Sequence, residues 1–103
     1  MQVEILHIDE CPNWREAGSR VRAALDEAGH GDTQIRYRLL TRSSDAVGTV
    51  FAGSPTILLD GADLFPAEGM TNDLACRLYT TPVGLAGLPT QEQIRGAIVN
   101  YVA

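Results

Sequence analysis

Val3-Glu4-Ile5-Leu6-His7-Ile8-Asp9-Glu10-Cys11-Pro12-Asn13-Trp14 is the stretch on which the fold turns. Its first half, Val3–Ile8, is apolar on both faces apart from Glu4 and His7, the pattern of a central strand covered on both sides. From Trp14 to Ala28 the period changes. Apolar residues fall at 14, 17, 21, 24, 25 and 28, the spacing of a helix with one buried face. Gly29 is placed to end that helix, and Glu16 and Arg20 form an i,i+4 pair on its outer face. Cys11 therefore stands at a strand-to-helix junction, where unpaired backbone N–H groups and the helix dipole favour a thiolate. Pro12 falls at the first helical position, where no backbone donor is needed.

Outward from this stretch, Thr33–Thr41 alternates Ile35, Tyr37 and Leu39 with Arg36 and Arg38, which predicts a strand near a sheet edge with one solvated face. Ser43 or Ser44 can cap a short helix carrying Ala46, Val47, Val50 and Phe51. Gly53-Ser54-Pro55 breaks it, and Thr56–Asp60 reads as a buried strand. Asp60-Gly61 predicts a tight turn into a short strand, Ala62–Phe65. Thr90 with Gln93 three residues on is a capping box, opening a last helix whose apolar face is Ile94, Ala97, Ile98, Tyr101 and Val102. The order is βαβαββα in a single α/β domain, residues 1–103. Residues 66–89 form an extra segment before the last helix, too long for a plain loop in a compact domain. Within it, Ala75–Thr80 reads either as an added strand or as the true fourth strand.

The chain has 103 residues, a net charge of −5 and no lysine, its eight basic residues being scattered arginines. That balance argues against nucleic acid or an anionic membrane as partner. No apolar run approaches the ~18 residues of a membrane span, and Met1-Gln2-Val3-Glu4 lacks the basic and apolar regions of a secretory signal. The expected location is cytoplasmic, where thiols stay reduced. Cys11, Cys76, His7 and His30 show no zinc-ligand spacing, and Gly84-x-x-Gly87 lacks the residues of a phosphate loop, so neither a metal nor a cofactor is expected. Two converging thiolates could hold a single soft ion only if Cys11 and Cys76 meet.

Cys11-Pro12-x-x at the junction and Gly53-Ser54-Pro55-Thr56 before a buried strand together resemble the thioredoxin-like superfamily over essentially the whole chain. The chain also looks like small actinobacterial thioredoxin-fold proteins sharing the Cys-Pro-Asn-Trp and Cys-Arg-x-Tyr segments, some loosely labelled alkylmercury lyase. The resemblance implies a central four-stranded mixed sheet flanked by helices. It also implies a cis Pro55 facing Cys11, with the Ser54 backbone positioned to bind an extended substrate by strand addition. One departure is plain: Trp14 stands where a second active-site cysteine would be, and it cannot resolve a mixed disulfide.

Cys11 is the candidate nucleophile, helped by the helix terminus and by Arg15 and opposed by the carboxylates of Asp9 and Glu10. Cys76 is the candidate resolving thiol or a buried structural one, depending on where the fourth strand lies. A bridge needs Cα atoms within about 7 Å. Pro12, Trp14, Ser54 and Pro55 are candidate substrate-contacting residues. Trp14 reads first as core at the base of Cys11, and His7 reads first as a buried strand residue, with a role as base for Cys11 second. Two functions follow. One is an atypical thiol–disulfide oxidoreductase using Cys11, with Cys76 or an external thiol resolving, and a protein or small-molecule thiol or disulfide as partner. The other is a non-catalytic module that holds a peptide, a thiol compound or a soft metal ion.

Overall fold

Strand β1 (Val3–His7) sends Val3 and Ile5 to one face of the sheet and Leu6 to the other, and all three are buried. The structure, a computed structural model, describes residues 1–66 and 74–102. In it β1 is central, pairing in parallel with β2 (Ile35–Leu39) and antiparallel with β3 (Thr56–Leu59), where Ile5 lies opposite Ile57. Asp60 and Gly61 both have positive φ, 51° and 85°, the primed hairpin geometry the Asp-Gly pair favours. This turn leads into β4 (Ala62–Asp63), with Leu59 opposite Ala62. The four strands form one mixed sheet in the order β2-β1-β3-β4.

Helices cover both faces of this sheet. On one, Val3, Ile5, Ile57 and Leu59 meet Ala17, Val21, Ala24 and Leu25 of α1 (Trp14–Glu27) and Ile94 and Ile98 of α3 (Gln91–Val102). On the other, Leu6, Ile8 and Leu58 pack with Leu40, Phe51, Cys11 and Ala46, the last from the single-turn helix α2 (Ser43–Ala46). Fully burying one such Ile, Leu or Phe side chain contributes about 1.5–3 kcal/mol. Arg20 ties the helical layer together, pairing with Glu16 at 3.1 Å and donating to the Pro89 carbonyl at 2.8 Å.

Helix ends follow their local chemistry. Beyond α1, His30 N–H reaches the Leu25 carbonyl and Gly29 N–H the Asp26 carbonyl, the paired bonds of a glycine-terminated helix. At the start of α3, Thr90 N–H donates to Gln93 Oε1 and Gln93 N–H to Thr90 Oγ1, so the expected capping box is present.

Asn13 is the N-cap of α1, so Pro12 lies just outside the helix rather than at its first position. The short helix α2 ends at Ala46. Its N-cap is Arg42 rather than a serine, with Asp45 accepting from the Thr41 and Arg42 backbone N–H groups, while Val47 is exposed. Edge strand β2 leaves Tyr37 and Leu39 exposed as well as its arginines, because it pairs on one side only. In α3 only Ile94 and Ile98 are buried; Tyr101 and Val102 are exposed, and the Tyr101 hydroxyl donates to Asp60. The fourth strand is Ala62–Asp63. Ala75–Thr80 is not part of that sheet; Tyr79 and Thr80 instead begin β5 (Tyr79–Thr81), which pairs with β6 (Gly84–Ala86) in a separate hairpin. Residues 67–73 of the extra segment lie outside the described residues.

Candidate functional site

Beyond Ile8 the chain turns back on itself, Cys11 N–H donating to the Ile8 carbonyl at 3.4 Å, and this turn drops Cys11 into the core beside Leu6, Ile8, Phe51 and Leu58. Cys11 is 0 % exposed. Next to it runs the Gly53-Ser54-Pro55 bend, whose Ser54–Pro55 peptide bond is cis. Thr56 stabilises the bend, its hydroxyl donating to the Gly53 carbonyl and accepting from Ala52 N–H. Ser54 Oγ accepts from Ile8 N–H at 3.1 Å, fastening the bend to the end of the chain that leads into Cys11.

The Ser54 backbone is already engaged. Its N–H donates to the Ala75 carbonyl at 2.8 Å and its carbonyl accepts from Arg77 N–H at 2.9 Å. These two bonds straddle Cys76 and make a single parallel bridge between residues 54 and 76. The pairing carries Cys76 to Cys11: the two form a disulfide with Cα atoms 5.9 Å apart, across 65 positions of sequence. Of the two, Cys11 is sealed in the core, whereas Cys76 is exposed.

Three further side chains, Arg77, Asp63 and Tyr79, fix the Cys76 segment. Arg77 Nη1 lies 2.9 Å from Asp63 Oδ2, with side-chain exposures of 5 % and 12 %. A charge pair this buried holds only where the remaining donors are also satisfied. Arg77 Nη2 donates to the Phe65 carbonyl, and the guanidinium lies over the Tyr79 ring at 4.4 Å. The Tyr79 hydroxyl donates to the Pro55 carbonyl, returning the segment to the cis bend. Burial raises the Tyr79 pKa well above its ordinary 10.0, with Asp63 adding to the effect and Arg77 opposing it. One signal was available in the sequence. In an extended segment Arg77 and Tyr79, two apart, point the same way, so Cys-Arg-x-Tyr marks a face as well as a motif.

The other expected residues lie as follows. Pro12 is exposed on the turn and Trp14 is half-buried. The Trp14 ring stacks on His7 at 4.5 Å, meets Tyr37 edge-on at 5.5 Å, and carries the Arg15 guanidinium 5.0 Å from its centroid. Arg15 is thus placed over the indole rather than committed to the Cys11 sulfur. His7 is buried within this aromatic group, and its Nδ1 has no hydrogen-bond partner among the described residues. Burial holds its pKa below 6.5, the Asp9 charge working in the opposite direction. The structure therefore brings together Cys11, Cys76, Ser54 and Pro55, and sets Trp14 and His7 in a separate stack.

Comparison with protein-family models, with curated proteins and with solved structures finds no match for this chain. Among the described residues no helix is long and apolar enough to cross a membrane, and no group of three or more His, Cys, Asp and Glu side chains converges on a common point.

Proposed function

We propose that this chain is a thioredoxin-like protein whose Cys11–Cys76 pair cycles between disulfide and dithiol, exchanging two electrons with a protein or small-molecule thiol partner. The observation that carries the reading is the meeting of two distant cysteines, Cα atoms 5.9 Å apart, beside a cis-proline bend. The strand order β2-β1-β3-β4, with β1 and β2 parallel and β3 and β4 antiparallel to their neighbours, supports the fold half of the proposal. The thiol half is supported by the position of Cys11 at the junction between β1 and α1.

In such a cycle the second sulfur comes from Cys76, bonded beside Ser54, and Trp14 is relieved of a role it cannot fill. Exchange proceeds through a mixed disulfide, and its rate depends on which sulfur an incoming thiolate reaches. The reading goes with a cytoplasmic location, where protein disulfides are transient and catalytic or redox-sensing. The same convergence supports a second reading. Reduced, the pair offers two thiolates within reach of one soft ion such as Hg(II) or Cu(I).

The test is to equilibrate the folded protein with glutathione buffers of graded potential and follow its mass. A gain of two hydrogens at one midpoint, together with catalysed disulfide exchange lost in both Cys11→Ser and Cys76→Ser, is the expected result. A bridge that opens only when the chain is unfolded is a static staple and refutes the proposal. Stoichiometric uptake of Hg(II) by the reduced protein without any disulfide turnover would favour the second reading.

A further inference from the structure

We infer that Cys76, not Cys11, is the sulfur that meets the outside partner, and that this partner is a low-molecular-weight thiol or disulfide rather than an extended peptide. The inference rests on the redox reading of the Cys11–Cys76 pair and assigns the roles within it.

Access decides the first part. Attack on a sulfur requires approach along the bond being broken, and Cys11 is 0 % exposed among Leu6, Ile8, Leu40, Phe51 and Leu58. Reaching it means opening that cluster. Cys76, by contrast, is an exposed residue at the single bridge to Ser54. Reactivity in thiol exchange follows access as well as thiolate content.

Occupancy decides the second part. A peptide adding as a strand to the cis-proline bend needs the Ser54 N–H and carbonyl, since main-chain bonds supply its affinity. Both groups are taken by Ala75 and Arg77 of the same chain. Displacing that segment would strip Ser54 of its partners, pull Arg77 from Asp63 in a buried pair and break the Tyr79–Pro55 bond. A buried charge left without its partner is strongly unfavourable. A small disulfide needs none of this and requires only the Cys76 sulfur. Residues 75–77 thus occupy the place of a bound substrate strand, and Cys76 that of the substrate's cysteine.

The chemistry balances with one named co-reactant, a small disulfide RSSR. The Cys76 thiolate attacks it, a Cys76–SR bond forms, and RS⁻ leaves and takes up one thiol proton. The Cys11 thiolate then attacks Cys76 Sγ, the Cys11–Cys76 bond forms, and the second RS⁻ leaves with the second proton. RSSR is reduced to two RSH by two electrons while the protein dithiol is oxidised to the bridge. The reverse sequence, driven by excess RSH, returns the dithiol.

The experiment treats Cys11→Ser and Cys76→Ser, each shown to be folded, with glutathione disulfide under native conditions. The expected result is a stable glutathione adduct on Cys76 in the first variant and no adduct on Cys11 in the second. Because either variant could fail to fold, the oxidised wild-type protein is also treated briefly with excess glutathione, quenched in acid and mapped. The adduct is expected on Cys76, with Cys11 as free thiol. In parallel, the reduced protein is oxidised by glutathione disulfide and by an extended peptide carrying a disulfide of matched potential, the peptide reacting far more slowly. An adduct on Cys11, or equal rates for peptide and glutathione, overturns the inference and leaves the pair's redox reading standing. Absence of exchange with either reagent in the folded protein overturns both.

Discussion

Reducing the Cys11–Cys76 bridge should cost the folded state about 4 kcal/mol, a value set by chain length. The bridge closes a loop across 65 positions. The entropy it removes from the unfolded chain, about 2.1 + 1.5R ln 65 cal/mol/K, amounts to roughly 4.3 kcal/mol at 25 °C. Little in the native state dilutes that figure. Cys11 remains buried among Leu6, Phe51 and Leu58, and Arg77, Ser54 and Tyr79 still hold the other end, so reduction leaves no cavity and frees no segment. Domains of this size have a total stability of about 5–15 kcal/mol, so the dithiol form stays folded but with much less margin. The assay is urea unfolding with and without a phosphine reductant, fitted for midpoint and slope, and the melting temperature should fall by roughly 15–30 °C. The same free energy can be read from the opposite side. The thiol pair should close about a thousandfold more readily in the folded than in the urea-unfolded chain, at 1.36 kcal/mol per factor of ten. A loss under about 1 kcal/mol, or a ratio near unity, would refute the loop-entropy reasoning and imply an unfolded chain that already holds the two sulfurs together.

Four further substitutions test the surroundings of that bridge and the separate His7–Trp14 stack. Arg77→Ala strands the Asp63 carboxylate, which is 12 % exposed, and should lower stability by about 3–5 kcal/mol in urea, whereas Asp63→Asn, which keeps an acceptor for the guanidinium, should lose less. Gly53→Ala places a methyl group 2.7 Å from Arg77 Cβ and 2.9 Å from Arg77 Cα, on a backbone with φ of 109°. It should cost about 2–4 kcal/mol and weaken hydrogen-exchange protection of the Ser54 and Arg77 amides. The buried His7 gives a pH dependence of definite sign. Its folded pKa lies below 6.5, so the unfolded chain binds more protons between the two values. Stability contributed by the neutral imidazole is complete above pH 6.5, is lost progressively as the pH falls below it, and levels off below the folded pKa. In His7→Phe, which keeps a ring against Trp14, this slope should vanish from the acid limb of the unfolding midpoint.

Much of the fold was legible because it depends on short-range pattern. The apolar run of β1, the helical spacing from Trp14, the Asp60-Gly61 turn and the Thr90–Gln93 cap each bring their own local cause. What escaped depends on partners far away in sequence. Strand β4 was expected after Asp60-Gly61 as Ala62–Phe65, but its end was not legible: it stops at Asp63, whose side chain gains meaning only against Arg77. Strand β2 reads as half-buried by alternation, yet nothing covers Tyr37 or Leu39 fully, because coverage belongs to neighbouring elements and not to the strand. The candidate site was half legible. Cys11 and Pro55 stand at junctions that local motifs mark, while the approach of Cys76 depended on which of two segments became the fourth strand. The buried Arg77 was hidden because an arginine carries no sign of its own burial.

The indole of Trp14 lies face to face with the imidazole of His7, and the chain has no second tryptophan. An imidazolium quenches a stacked indole more strongly than a neutral imidazole does. The protein thus carries a built-in optical gauge: its emission should dim as that ring takes up a proton and shift to the red when the aromatic stack comes apart. Acid titration and melting can therefore both be followed in cuvettes with no added dye, label or tag.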